Sequence, residues 1–367
     1  MTVRPIRSIA VALAIFASAT AHAQGSARSQ DIDASIRSIG MGGANVAVGW
    51  GEPGVWGNPA SLARTTGIQW IRAGTQLVPG LADHVILVND RVLLGAAGLG
   101  VALGGKPFDG LGFTHLDYGP PGTSAASEHT NSVAFAVSPL RVLGALQVAG
   151  SAALLERFEF SLGMNSKSTR VELVPGSGSS ADGRDWGLQG RVALLPPDRH
   201  TTCDLSAGYA VLGANEQIFA FGSSLAPGSR IRRSGVALHA VKRPDANADR
   251  AMPWWLAGVE RSIGVGLAFD HEAIGTLDQI DYRVDHFGLE VTLLGVLSGR
   301  TGYWADKFGQ INDFTYGAGI RLPIGRAAAV GFDWASRPQA DDSGLPNVNH
   351  MAVTVALNPL ELVSKNR

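Results

Sequence analysis

Three histidines, His239, His286 and His350, stand among carboxylates and arginines in stretches that are otherwise apolar or small, a setting in which proton transfer or metal ligation is sought first. Strand-borne Ser and His can hydrolyse esters, but no serine matches any of the three in depth, so they read as members of a polar network. No spacing of His with Asp or Glu has the form of a metal site. Gly40-Met41-Gly42-Gly43-Ala44 lacks the third glycine of a dinucleotide loop, and no strand-turn-helix unit frames it. Gly176-Ser177-Gly178-Ser179-Ser180 is faintly like a nucleophile elbow, yet Pro175 precedes it and no helix follows, so it reads as a flexible polar loop. No enzyme activity, cofactor or metal is expected.

The elements that must carry these residues repeat with period two. Phe287, Leu289, Val291 and Leu293 alternate with His286, Gly288, Glu290 and Thr292. The same holds for Leu205, Ala207, Tyr209 and Val211 against Asp204, Ser206, Gly208 and Ala210, for Ile263 to Phe269 against Gly264 to Asp270, and for Met351 to Leu357 against His350 to Ala356. One face is bulky and apolar, and the other is Gly, Ala, Ser and Thr with scattered charge. A soluble sheet would expose more Lys and Glu, so the pattern predicts strands with one face in lipid and the other in an enclosed wet interior. Arg191, Asp204, His239, Glu260, Asp270, His286, Glu290, Arg321, Asp333 and His350 then face the lumen. Because unpaired buried charge is costly, their mixed signs predict cross-lumen ion pairs, with a selectivity lining for a solute as the alternative.

Composition agrees. Of 367 residues 47 are Gly and only 17% are charged, while a formal net charge of -1 removes nucleic acid as a partner. The single cysteine, Cys203, can form no intramolecular disulfide. Arg4 and Arg7, the apolar run from Ile9 to Phe16 and Ala21-His22-Ala23 read as a cleaved secretory signal over residues 1–23. Strands are expected at 67–77, 82–89, 91–103, 130–138, 141–155, 185–195, 203–212, 231–242, 262–271, 285–295, 298–304, 313–322, 326–336 and 348–357. Two further segments, 216–224 and 253–260, would raise the count to sixteen. Short links at Asn89-Asp90, Ser138-Pro139-Leu140 and Pro323-Ile324-Gly325 are expected on one side and long ones at 104–129, 156–184 and 337–347 on the other. Trp186, Trp254, Trp255, Trp304 and Trp334 are expected at headgroup level near outer strand ends.

Before the first strand, Gly40-Met41-Gly42-Gly43-Ala44 permits close backbone approach to a wall, and Asn58-Pro59-Ala60 opens a short helical turn with an N-cap and Pro at the first position. With these motifs, with His286-Phe287-Gly288-Leu289-Glu290, Gly302-Tyr303 and Tyr316 to Arg321, and with Gly331-Phe332-Asp333-Trp334, the sequence resembles the FadL-like superfamily of outer-membrane barrels, and most of all its PorV/PorQ branch. The resemblance implies an all-β, antiparallel transmembrane barrel of fourteen strands in the bacterial outer membrane. A hatch of residues 24–66 would lie in its lumen, the barrel would occupy 67–358 and a tail 359–367. The hatch motif would be Gly40, Gly42, Gly43, Asn58, Pro59 and Ala60. It further implies either a secretion or surface-attachment accessory that binds partner proteins, as in type IX secretion, or a plugged channel for hydrophobic small molecules.

Overall fold

Side chains that alternate with period two build one closed antiparallel sheet in the computed structural model. The structure describes residues 35–51, 54–79, 82–104, 114–117, 127–174, 176–195, 200–215, 217–221, 224–243, 262–276, 279–325 and 327–358. The expected signal 1–23, the segment 253–260, Trp254, Trp255, Glu260 and the tail 359–367 lie outside them.

The strands are β1 (Gly67–Val78), β2 (Ala82–Ala96), β3 (Leu99–Gly104), β4 (Thr114–Asp117), β5 (Ser127–Val137), β6 (Phe158–Val174), β7 (Ser177–Ala193) and β8 (Thr201–Leu212). After a two-stranded hairpin, β9 (Ile218–Phe221) and β10 (Ser224–Pro227), follow β11 (Arg230–Lys242), β12 (Ile263–Thr276), β13 (Gln279–Leu293), β14 (Leu297–Asp306), β15 (Ile311–Ile324), β16 (Ala328–Arg337) and β17 (Val348–Leu357). Sequence neighbours pair throughout, β1 closes the ring on β17, and β3 and β4 share one position between β2 and β5, so the barrel has 14 positions. The fourteen-strand expectation stands over sixteen: 216–224 contributes to the separate β9–β10 hairpin and adds nothing to the barrel.

The outer face is apolar along a defined band. Phe269, Phe287, Tyr303 and Phe314 stand side by side at one level, with ring centroids 4.8 Å apart for Phe269–Phe287 and 5.2 Å for Tyr303–Phe314. The next row outward is polar, with Ser234, His271, Asp285 and Asn312. From Phe314 to Ile324, β15 covers roughly 25 Å of barrel axis at about 3.3 Å per residue and a tilt of about 40°. That is the height of a membrane barrel's apolar belt.

Several expectations needed correction. Residues 141–155 are not a strand: after Ser138, Pro139 starts helix α2 (Pro139–Ala145), and helix α3 (Ser151–Arg157) follows. Pro at a first helical turn and Ala-Leu-rich flanks favour that outcome. The fifth barrel strand is instead β6, inside the expected 156–184 loop. It was illegible because beyond Met164 both faces are polar, Ser166, Ser168 and Arg170 outward and Asn165, Lys167 and Thr169 inward, so no alternation marks it. Gly176 to Ser180 forms a tight turn and the first residues of β7 rather than a flexible loop. Asn89-Asp90 is no link but lies within β2, and the real turn is Ala97-Gly98, where both φ values are positive (53° and 86°). The expected division of short and long links between two sides fails with these changes, because α2 and α3 lie at the same end as the short turns Ala97-Gly98 and Leu294 to Val296. Of the tryptophans, Trp304 is the correction, since it points inward against His286; Trp186 faces outward where the apolar stretch of β7 ends, and Trp334 faces outward near the end of β16.

The band makes a prediction. Leu289→Arg, in the apolar outward stretch of β13, should lower unfolding free energy in liposomes by about 2–4 kcal/mol. Ser168→Arg, on the polar outer stretch of β6, should change it by less than about 0.5 kcal/mol in the same urea titration.

Candidate functional site

Residues 35–51 and 54–66 lie inside the barrel against a wall stripped of side chains. Gly67, Gly95, Gly100, Ala136, Gly163, Gly187 and Ala210 are lateral neighbours on successive strands, and Ala237, Ala268, Gly288 and Gly302 form a second such row. On the segment, helix α1 (Ile36–Gly40) begins at Ser35, whose hydroxyl accepts the Ser38 N–H at 3.3 Å, and it packs Ile36 and Ile39 on Ala73, Ala335 and Ala352. Gly42 and Gly43 then turn with φ of +70° and +92°. A Cβ on Gly302 would overlap the backbone of Met41 and Gly42, so contact here is backbone on backbone.

Peptide groups brought this close to a dry wall need partners, and side chains of the wall supply them. The Thr315 hydroxyl accepts the Gly42 N–H at 2.9 Å and donates to the Gly40 carbonyl at 3.1 Å. His286 Nδ1 donates to the Gly42 carbonyl at 2.6 Å. The Asp270 carboxylate accepts the N–H groups of Asn45 and Val46 at 2.6 and 2.7 Å. Further along, Asn58 caps the 3₁₀ helix Pro59–Arg64 by accepting the Ala60 N–H at 3.0 Å, and its amide donates to the carbonyls of Val46 at 2.7 Å and Leu188 at 2.9 Å. Gly187 and Gly163 leave the room that Asn58 and Pro59 occupy.

Charges fasten the two ends. Arg37 grips Glu290 with two hydrogen bonds of 2.7 and 2.6 Å and also donates to the Trp50 carbonyl. Glu290 accepts from Trp50 Nε1 at 2.9 Å and from Arg300 at 2.6 Å, and Arg300 continues to Asp333 at 2.5 Å. Trp50 lies flat on His239, centroids 4.5 Å apart. At the other end Glu159 holds Arg141, Arg64 and Arg191 at 2.6, 3.2 and 3.5 Å, and Arg191 also bonds Asp204 at 2.9 Å. Toward the end where β1 begins, a cavity of about 290 Å³ is lined by Arg37, Trp50, His239, Arg243, Glu290 and Arg321.

Of the sequence candidates, Gly40, Gly42, Gly43, Asn58, Pro59 and Ala60 all touch the wall or its partners. Asp270, His286 and Glu290 are brought together on the segment, joined by His239 and Asp333 through Trp50 and Arg300, while Arg191 and Asp204 belong to the Glu159 cluster. His350 is fully buried elsewhere, 2.6 Å from the Thr75 hydroxyl, and Arg321 stands exposed in the cavity. The ion pairs run from wall to segment or between nearby strands of the wall, and the expected pairing across the lumen is not seen among the described residues. Sequence reading missed Arg37, Trp50, Arg64, Arg300, Thr315 and Glu159. The alternation on β14 and β15 carried the signal for Arg300 and Thr315; nothing marked Glu159 while β6 was unseen.

No family model matches the chain, and no curated protein does either. Among solved structures, the CymD monoaromatic hydrocarbon channel aligns with a TM-score of 0.45 and 10% identity over 88% of this chain and 95% of that one. A Pseudomonas aeruginosa FadL homologue gives 0.42 and 9% over 89% and 98%, and the Ralstonia pickettii toluene transporter TbuX gives 0.40 and 11% over 88% and 96%.

Two predictions follow from the contacts. Gly302→Val should expel the segment yet keep the barrel: trypsin should then cut at Arg37 in a protein that still runs as a folded, heat-modifiable band. Gly299→Val, whose added side chain meets nothing within 4 Å, should leave Arg37 protected. Glu290→Gln strands two buried guanidinium groups and should lower stability by about 3–5 kcal/mol in urea titrations, against under about 1 kcal/mol for the half-buried Glu172→Gln, whose arginine partner Arg170 is exposed.

Proposed function

We propose that the protein is an outer-membrane barrel whose lumen is plugged by its N-terminal segment and which passes small apolar molecules sideways through its wall into the membrane. The apolar outer band supports the membrane setting. Burial of Val46, Ala47, Val55, Ala60 and Leu62 inside the barrel argues against axial passage by a general solute. The observation that carries the lateral route is the seating of the segment on the Gly and Ala rows of the inner wall, which fills the axial path and leaves the wall beside the apolar band as the way out.

A second reading, an accessory of the PorV type that binds partner proteins in secretion or surface attachment, is favoured by a different feature. Beyond Met164 and Trp186, β6 and β7 continue past the apolar band as a long polar hairpin, and β9–β10 packs on it through Phe219 and Val171 while leaving Ile218 and Leu225 exposed. Such a raised surface suits a protein partner.

Proteoliposomes separate the readings. Native protein should speed transfer of a polycyclic hydrocarbon into the bilayer and leave sugar permeability at background. A variant lacking residues 25–60 should become permeable to sugar and lose its preference for hydrocarbon. Equal hydrocarbon transfer and equal sugar permeability in the two proteins rule out the plugged channel, and co-purification of a secreted protein with a native barrel that moves no hydrocarbon favours the accessory.

A further inference from the structure

We propose that Ser234, His271 and Asp285 form a hydrolytic site for the ester bond of a membrane lipid, on the outer face of the barrel at the edge of its apolar band. The histidines weighed from sequence face the lumen; His271 faces outward. It lies on β12 directly between Ser234 of β11 and Asp285 of β13, as a cross-strand neighbour of each. Its Nδ1 is 2.7 Å from Asp285 Oδ1, which is the nitrogen an orienting carboxylate must hold to leave Nε2 facing a nucleophile. Nε2 has no hydrogen-bond partner among the described residues, and Ser234, one strand away with Cβ atoms about 5 Å apart in such pairs, is exposed on the same side. His271 and Asp285 are 38% and 46% exposed, so the group is open to both water and a ligand.

What selects a lipid is the surface below. One row inward begins an apolar groove of about 440 Å³ lined by Val236, Leu267, Phe269, Phe287 and Leu289. An acyl chain lying in that groove brings its ester to the level of Ser234, where the band ends and headgroups begin. Arg283, exposed on the same face one row further out, bears charge opposite to a lipid phosphate. Ser234 Oγ would bond to the ester carbonyl carbon as its proton passes to His271 Nε2. The C–O bond to the alcohol then breaks, with that proton going to the leaving oxygen. Water next attacks the acyl-serine, delivers a proton through Nε2 to Oγ, and releases the fatty acid. Asp285 is a positioning residue.

The test uses the full chain in detergent and glycerophospholipid mixed micelles and is independent of transport. A fluorophosphonate should label Ser234, and free fatty acid should appear with time. Ser234→Ala should lose both, His271→Ala should lower turnover by about 100-fold or more, and Asp285→Asn should lower kcat with KM held. All three positions are solvent-facing, so the folded band on gels should persist in each variant. Absence of both labelling and fatty acid release in the native protein overturns the proposal, as does release that survives in Ser234→Ala.

Discussion

Backbone-on-backbone contact between the N-terminal segment and the inner wall is the constraint on which the rest of this architecture depends. A backbone cannot lie within van der Waals reach of a sheet face that carries side chains, so the wall is Gly or Ala at the points where the backbone of residues 40–47 and 58–62 touches it. The strands accept these residues despite their poor β-propensity because their stabilisation comes from closed-ring pairing and from the opposite, apolar face. High glycine content, which might suggest disorder, is here the imprint of a second chain segment on the first.

Close approach creates a second demand. Peptide groups of the segment leave water, and each needs a partner of fixed position. Thr315, Asp270 and His286 meet it from strands, each a polar residue at a position the alternation assigns to the interior, and Asn58 meets it from the segment itself by donating to the Leu188 carbonyl of the wall. The charged clusters around Glu290 and Glu159 then fix the ends. Ion pairs this buried add little net stability over apolar packing, but they penalise every other placement of the segment, since displacing Arg37 or Arg64 would take a buried guanidinium from its carboxylate. They specify one arrangement more than they strengthen it.

Legibility in the sequence follows from the same physics. Period-two patterning revealed every barrel strand from β11 onward, with the ends of β12 and β13 missed by five and six residues, because there each face meets uniform surroundings, an apolar exterior and the segment inside. It failed where surroundings change along a strand: β6 and β7 leave the band and become polar on both faces, and β2 turns polar inside at Asn89 and Arg91, which imitated a turn. The same rule explains the site. Asp270, His286 and Glu290 were visible as inward polar residues in good strands, whereas Arg37 and Trp50, on a segment without periodicity, acquire meaning only from the wall they meet.

Hydrogen–deuterium exchange of the native protein in detergent tests the central claim most directly. If the segment is seated on the stripped wall, the amides of Gly42, Asn45 and Val46, each bonded to a wall side chain, should exchange as slowly as those of β12 and β13. Exchange of these three amides at the rate of exposed turns such as Ala97-Gly98, with the strands still protected, would contradict the account.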